Sequence, residues 1–348
     1  MLFGWSIAGL GFLLMSRINS LWEFYGAFMA IAMGFSFASG VVINTAIASW
    51  FTRKRSRAFA LTYLGPGLSG ILVPVLALSI GQFGWRETLI FASIALWGIG
   101  IPLSLVMRHR PSQYGYLPDG ETPSAVHEAT GVLNHHSSNE VKEQDSASSV
   151  TGFTVKETLK TRAFWLLVSV FFFQQVAQSA VMVHIVPYLE SVNVPTTIAA
   201  TAVTGMTLCS LIGRLSFGFL GDFKDKRYLI AIALTLQTIG LFVFSFIAMD
   251  KAWLIFLFLL TFGPGYGGPI PLRPALQADY FGTRNFGTIM GLMGALGMLG
   301  GLASPIVAGW VFDVTRSYRS VWRLFTLLSL PSIPLMLLAK PPGAKQEP

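Results

Sequence analysis

Two charged residues, Arg214 and Arg273, stand away from the ends of the long apolar stretches that make up most of this chain. A charge at such a depth costs free energy unless it faces a polar cavity or a partner, which makes each a functional candidate. A guanidinium is a planar fork of donors that grips a carboxylate with two hydrogen bonds, so the chemistry on offer is recognition of an anion. The alternatives are structural. Arg214 can snorkel to the surface or pair with Asp222, eight residues on; Arg273 reads equally as a gate residue or an anchor. Gln174 and Gln178, four residues apart, share one helix face and either hydrogen-bond a substrate or tie helices together. His184 titrates near neutrality in its ordinary state or caps a neighbour. Gly218, Asp222 and Arg227 form a spaced set at a helix end: Gly218 admits a close helix, and Asp222 can cap a helix N-terminus and pair with Arg227. The bland reading of that set is an ordinary charged turn.

The elements that hold these residues are membrane helices. Mean hydropathy is +0.61, with 53% hydrophobic and 11% charged residues, far from soluble averages. Spans are expected at 2–16, 22–51, 58–81, 87–107, 163–189, 196–220, 228–249, 252–278, 286–312 and 320–338. The first is short for a hydrocarbon core about 30 Å thick and, lacking a charged n-region, does not read as a signal peptide. The eighth carries Pro264, Pro269 and Pro271 and is expected to kink or break. Gly291, Gly294, Gly297 and Gly300 read as a packing stripe, because no strand precedes them to make a nucleotide loop.

The second half repeats the first. A shift of 230 residues places Trp50-Phe51 on Tyr280-Phe281 and Gly67 on Gly297; later Trp85-Arg86 falls on Trp322-Arg323. Duplicated helix bundles are how many secondary transporters are built. The later copy has two further helices before its matching part, so ten spans are expected of twelve, four in residues 1–107 and six in 163–348. On this reading the chain alone is expected to be unstable and inactive until two upstream spans are added. The polar segment 108–162 joins the bundles, its middle expected to be disordered and its end opened by a Thr154–Glu157 capping box. His127, His135 and His136 in it read as solvated rather than as a metal site.

Lys and Arg set the orientation. Sixteen lie at one set of loop ends and six at the other, which puts both termini and the linker in the cytoplasm. The formal charge of +8 then reflects topology and anionic lipid, not nucleic acid. Cys209 lies mid-span and reads as a packing residue. No cluster of His, Cys and Asp and no nucleophile–base pair appears in the spans, so an enzyme is not expected and no cofactor is implied.

The Gly218-Phe-Leu-Gly-Asp222-Phe-Lys-Asp-Lys-Arg227 run resembles the cytoplasmic signature loop of the major facilitator superfamily, in its second-half copy. Trp50-Phe-Thr-Arg-Lys-Arg-Ser-Arg-Ala58, Phe83-Gly-Trp-Arg86, Arg110-Pro-Ser-Gln-Tyr-Gly-Tyr-Leu-Pro-Asp119, His184-Ile-Val-Pro-Tyr188 and Ala278-Asp-Tyr-Phe281 resemble the monocarboxylate and oxalate/formate transporter branch. The resemblance covers essentially the whole chain. It implies an all-α membrane protein with a facilitator-type helical bundle in the plasma membrane, moving a small solute by alternating access. It implies a small organic anion such as a monocarboxylate as substrate, with a proton or counter-anion as coupling partner. Arg214 matches the arginine that reads substrate carboxylates in that branch, and the signature loop would act as a cytoplasmic latch. Two positions depart from the pattern: Ser210 stands where proton-coupled relatives often carry an aspartate, and residues 286–312 lack the lysine of oxalate/formate relatives. The competing readings are a fragment with no transport of its own and an exporter of another small molecule.

Overall fold

A computed structural model of the chain describes residues 1–38, 40–68, 72–108, 111–114, 116–120 and 152–343. The middle of the linker, with His127, His135 and His136, lies outside the described residues. Among the described residues, eight helical stretches are long and apolar enough to cross a membrane: Leu21–Trp50, Trp85–Val106, Arg162–Ser191, Thr196–Leu220, Lys226–Phe244, Leu254–Phe281, Phe286–Thr315 and Tyr318–Leu338. Two of the ten expected spans fall short of that measure. Leu2–Met15 has 14 residues, about 21 Å at 1.5 Å per residue. In the stretch expected at 58–81, helix is described over Arg55–Thr62, Leu64–Leu68 and Leu72–Phe83, with residues 69–71 outside the described ones. Pro66 accounts for the first break, since it offers no N–H to residue 62 and its ring crowds that carbonyl.

Burial on these helices suits lipid. Phe286–Thr315 buries Ile289, Met293, Gly297, Gly300, Ser304 and Ala308, spaced three and four apart along one face. Its other face turns Met298, Leu302, Ile306 and Trp310 outward, Ile306 to 74% exposure. Large apolar side chains facing out, with a serine facing in, reverse the pattern that water would select.

Contacts divide the chain into two compact units. The first takes Met1–Thr52 and the described residues of Leu68–Ser148; the second takes Arg53–Gly67 and the described residues of Ser149–Pro348. In the first, α1 (Leu2–Met15) lies along α2 (Leu21–Ala38), Gly34 backing directly onto Ala8. Next comes α3 (Val41–Trp50), then α4 (Arg55–Thr62) and α5 (Leu64–Leu68), which fall almost wholly in the second unit. The first unit resumes with α6 (Leu72–Phe83) and α7 (Trp85–Ala95), the latter running through a π-helical turn at Leu96–Gly100 into α8 (Ile101–Val106). Ser93 Oγ donates to the Gly9 carbonyl at 2.7 Å and fixes α7 against α1.

After α4 and α5 the second unit resumes with α9 (Val155–Lys160), whose N-terminus carries the expected capping box between Thr154 and Glu157. It continues with α10 (Arg162–Ser191), α11 (Thr196–Leu220), α12 (Lys226–Phe244), α13 (Leu254–Gly267), α14 (Pro269–Phe281), α15 (Phe286–Thr315), α16 (Tyr318–Ser329) and α17 (Ser332–Leu338). The eighth expected span is thus broken, at Gly268, as its prolines predict. One half of the core is aromatic: Tyr188, Phe244, Phe258, Phe262 and Trp322 are buried together. The Tyr188 hydroxyl donates to the carbonyls of Phe244 (2.7 Å) and Ile247 (3.1 Å).

The glycine series on α15 does not act as one stripe. Gly297 and Gly300 face Phe171, Phe172 and Val176 of α10, whereas a side chain at Gly291 or Gly294 would meet nothing within 4 Å. Steps of three residues fall about 60° short of a full turn in a helix of 3.6 residues per turn. Four such glycines therefore wind half-way round the helix, and one neighbour cannot cover them. Cys209 behaves as expected, its Cβ packed against Gly263.

Candidate functional site

Arg214 is buried, at 6% exposure, on the inner face of α11. Its Nη1 donates to the main-chain carbonyl of Tyr63 at 2.7 Å, where Tyr63 joins α4 to α5. The Tyr266 hydroxyl of α13 lies beside the same guanidinium. Gly67 leaves the space: a Cβ there would fall 2.6 Å from Nη1 and run into Leu211. The Nε of Arg214 is buried without a hydrogen-bond partner.

Arg273 comes off α14 five residues past the break at Gly268. Its guanidinium sits 3.9 Å over the ring of Phe171, an attraction to the negative face of the aromatic quadrupole. The Tyr63 phenol is an electrostatic neighbour of both Arg273 and Arg214. Residues 63, 214 and 273, far apart in sequence, thus converge. Among the described residues the ion pairs are Arg55–Asp279, Lys226–Asp279, Arg57–Asp222 and Arg227–Asp225, and neither of the two intramembrane arginines takes part in one. The alternative in which Arg214 is neutralised by Asp222 is thereby overturned, because both oxygens of that carboxylate are engaged elsewhere.

The other expected residues divide. Gln174 is 1% exposed; its main-chain carbonyl accepts from Gln237 Nε2 at 3.4 Å and its own amide has no partner. Gln178 is buried on the same face. His184 has different neighbours, its Nε2 being 3.1 Å from the Pro305 carbonyl and its Nδ1 3.4 Å from the Tyr318 hydroxyl. Since a carbonyl only accepts, Nε2 carries the proton there and Nδ1 accepts from the tyrosine. His184 therefore ties α10 to α15 and α16, apart from the arginines. Ser210 is fully buried and donates to the Thr207 carbonyl at 2.8 Å.

The signature loop forms a polar joint with α4. Asp222 Oδ1 accepts from the Ser56 N–H, 2.8 Å, in the first turn of α4, where an orphan donor and the positive end of the helix favour a carboxylate. Its Oδ2 is 3.0 Å from Arg57 Nε, and the Arg57 guanidinium also lies over Phe223 and Phe219. Gly218 makes the joint possible, since a Cβ there would strike Ala60. The expected pairing of Asp222 with Arg227 is not made: Arg227 Nη2 is 3.5 Å from Asp225, which itself caps α12 by accepting from the Arg227 N–H. The physical reason is position. Arg227 lies inside the first turn of the next helix, next to its own cap, while α4 brings Arg57 across to Asp222.

A second joint was not anticipated. Asp279 accepts from Arg55 Nη1 and is paired with Lys226 Nζ, each at 2.7 Å. The basic run after Trp50 and the Ala278-Asp-Tyr-Phe281 run are thus two sides of one contact. Tyr63, Tyr266 and Phe171 were also missed beside the arginines. A faint signal existed, since Tyr63 precedes Gly65-Pro-Gly67 and Tyr266 sits within Gly263-Pro-Gly-Tyr-Gly-Gly268, both places where a helix is interrupted.

Broken helices, lipid-facing apolar surfaces and intramembrane arginines define a multi-pass membrane transporter, and the chain belongs to the Major Facilitator Superfamily, whose model matches residues 1–268 and 170–348. Among curated relatives, monocarboxylate transporter 12 of Mus musculus is 29% identical over 348 residues, covering 92% of this chain and 67% of the relative. The oxalate:formate antiporter of Oxalobacter formigenes is 23% identical over 321 residues, covering 89% of this chain and 69% of that protein. These are the two kinds of transporter that the sequence motifs resemble. The solved structure of the human organic anion transporter MFSD10 (TETRAN) shares the fold, with a TM-score of 0.67 at 16% identity over 97% of this chain and 76% of that one.

Proposed function

We propose that the chain carries a small organic anion, of the monocarboxylate class, across the plasma membrane by alternating access. The observation behind this reading is the pair Arg214 and Arg273, two intramembrane cations around Tyr63 with no carboxylate to neutralise them among the described residues. Two uncompensated guanidiniums at depth are costly, and an anion entering between them would offset that cost. Arg214 would supply the two-pronged grip, Arg273 the second charge, Gln174 and Gln178 the polar lining about one and two turns from Phe171. Asp222 with Arg57 would form the cytoplasmic latch. The relative named as an oxalate:formate antiporter suggests a counter-anion as coupling partner; Ser210 offers no carboxylate to carry a proton at its position.

The direct test is uptake of radiolabelled lactate into proteoliposomes, against lactamide as a neutral look-alike. With two upstream spans added, as the duplicated pattern predicts, saturable uptake of lactate alone is expected; equal uptake of both would sink the anion reading. A positional check uses two glycines of the same helix. Gly67→Val should push the guanidinium off the Tyr63 carbonyl and lower lactate uptake at least tenfold. Gly65→Val, where a side chain meets nothing within 4 Å, should leave it unchanged. Equal loss from both would point to general damage of α5.

The same reading places both termini and residues 108–162 in the cytoplasm. Single cysteines introduced at Ser138 and Ser191 should differ toward a membrane-impermeant thiol reagent on intact cells, 191 reacting and 138 protected. The reverse labelling would invert the orientation.

A further inference from the structure

At the end of the second unit remote from Asp222, a pocket of about 560 Å³ opens between the C-terminal ends of α10 and α15, the start of α16 and the turn after α12. Its lining is mixed, with Ser191, Asn193 and Ser317 beside the rings of Phe312 and Tyr318. Phe312 and Tyr318 stack with centroids 4.1 Å apart, and Tyr188 meets Tyr318 at 5.8 Å. Both tyrosine hydroxyls are engaged elsewhere, Tyr188 with main-chain carbonyls and Tyr318 with His184; Tyr188 is fully buried and backs the Tyr318 ring, so the pocket receives Phe312 and the small exposed part of Tyr318. Arg316 and Arg319 supply the charge at its rim, and no Asp or Glu is among the lining residues. Both arginines are exposed, and neither makes an ion pair among the described residues.

The backbone is bent to hold this rim. Arg316 and Asn193, both lining the pocket, have φ of 52° and 62°. That left-handed region is costly for a residue with a Cβ. Arg316 in this conformation closes α15, its N–H donating to the Phe312 carbonyl at 2.7 Å. Glycine would serve that turn without strain, yet an arginine is there.

We infer that this pocket is a second anion site, separate from Arg214, for a small amphipathic organic anion: a carboxylate held by Arg316 and Arg319, with an aromatic or short aliphatic body against Phe312 and the exposed edge of Tyr318. The volume falls in the range of small-molecule sites, about 300–1,000 Å³, and an aromatic patch with a guanidinium rim matches both halves of such a molecule. A phospholipid headgroup shares the anionic chemistry, but the space suits a body about the size of one ring, and the assignment is to the free anion.

The test is photolabelling of the purified full chain in phosphatidylcholine nanodiscs with 4-azidobenzoate, mapped by peptide mass spectrometry. Adducts are expected in peptides spanning 188–193 or 312–319, competed by benzoate. The double variant Arg316→Gly, Arg319→Gln should lower that yield at least tenfold. Glycine keeps the left-handed turn unstrained, so an unchanged unfolding temperature separates loss of charge from loss of fold; should the double variant unfold, Arg319→Gln alone is read in its place. Arg214→Gln should leave this labelling intact, which separates the site from the transport reading. Labelling unaffected by loss of the rim charges, or confined to peptides holding Tyr63 or Arg214, overturns the inference. Labelling abolished by phosphatidylglycerol nanodiscs overturns it too, since the site would then belong to a lipid headgroup.

Discussion

Replacing Arg214 with glutamine is expected to abolish binding and uptake of an anionic substrate while the protein still folds and inserts. The guanidinium is held by the Tyr63 carbonyl at 2.7 Å and by the Tyr266 hydroxyl beside it, and glutamine can still offer a donor there. What it removes is the charge. Truncating one member of a desolvated charge pair costs about 2–5 kcal/mol, which is roughly 30- to 4,000-fold in affinity at 1.4 kcal/mol per tenfold. Arg214→Lys should recover little, because an ammonium has no planar fork. Arg273→Gln should cost less, since its present contact is the face of Phe171. The measurement is substrate-dependent thermal stabilisation beside proteoliposome uptake. Normal binding by Arg214→Gln would end the carboxylate role, and outright misfolding would make Arg214 a structural tie between α11 and α4.

Replacing Asp222 with alanine is the second large effect expected, on stability. It strips the cap from the Ser56 N–H and leaves Arg57 without its carboxylate. Broken buried pairs cost about 3–5 kcal/mol. Here about 2–3 kcal/mol is expected, because the Arg57 side chain keeps 28% exposure and rests on Phe223 and Phe219, so solvent and rings take up part of the charge. Asp222→Asn, which keeps an acceptor for the cap, should lose about half as much. Arg227→Gln should cost less, about 1 kcal/mol, because its partner Asp225 is half exposed. Equilibrium unfolding in mixed micelles reads all three. A loss at Arg227 equal to that at Asp222 would restore the pairing that spacing alone suggested.

That contrast shows which parts were legible in the sequence. Hydropathy placed the long spans because crossing lipid demands about 20 apolar residues whatever their partners, and the prolines before Arg273 marked a break because proline acts locally. The interruption at Tyr63 within the span expected at 58–81 was not legible, since hydropathy averages across Gly65-Pro-Gly67. Arg214 and Arg273 stood out as isolated charges. Their convergence on Tyr63 did not, because 151 residues separate Tyr63 from Arg214 and no period or spacing reports a contact of that range. The same holds for Asp222. Its role as a cap followed from its type, but its partner depended on which helix arrives from 166 residues away.

The atom on which Arg214 rests belongs to the main chain, and this limits how the site can be tuned. Any substitution at position 63 leaves that carbonyl in place, so a scan of side chains would score the tie as silent; only a change in the path of the backbone, through Pro66 or Gly67, reaches it. The placeholder is also electrically neutral. Were a carboxylate there, an incoming anion would have to break one ion pair to make another, with little net gain. Displacing a neutral oxygen instead leaves the full difference between a dipole and a charge to be collected on arrival. The vacated carbonyl then needs a new donor, so occupancy by an anion would be felt at once in the backbone of the α4–α5 junction.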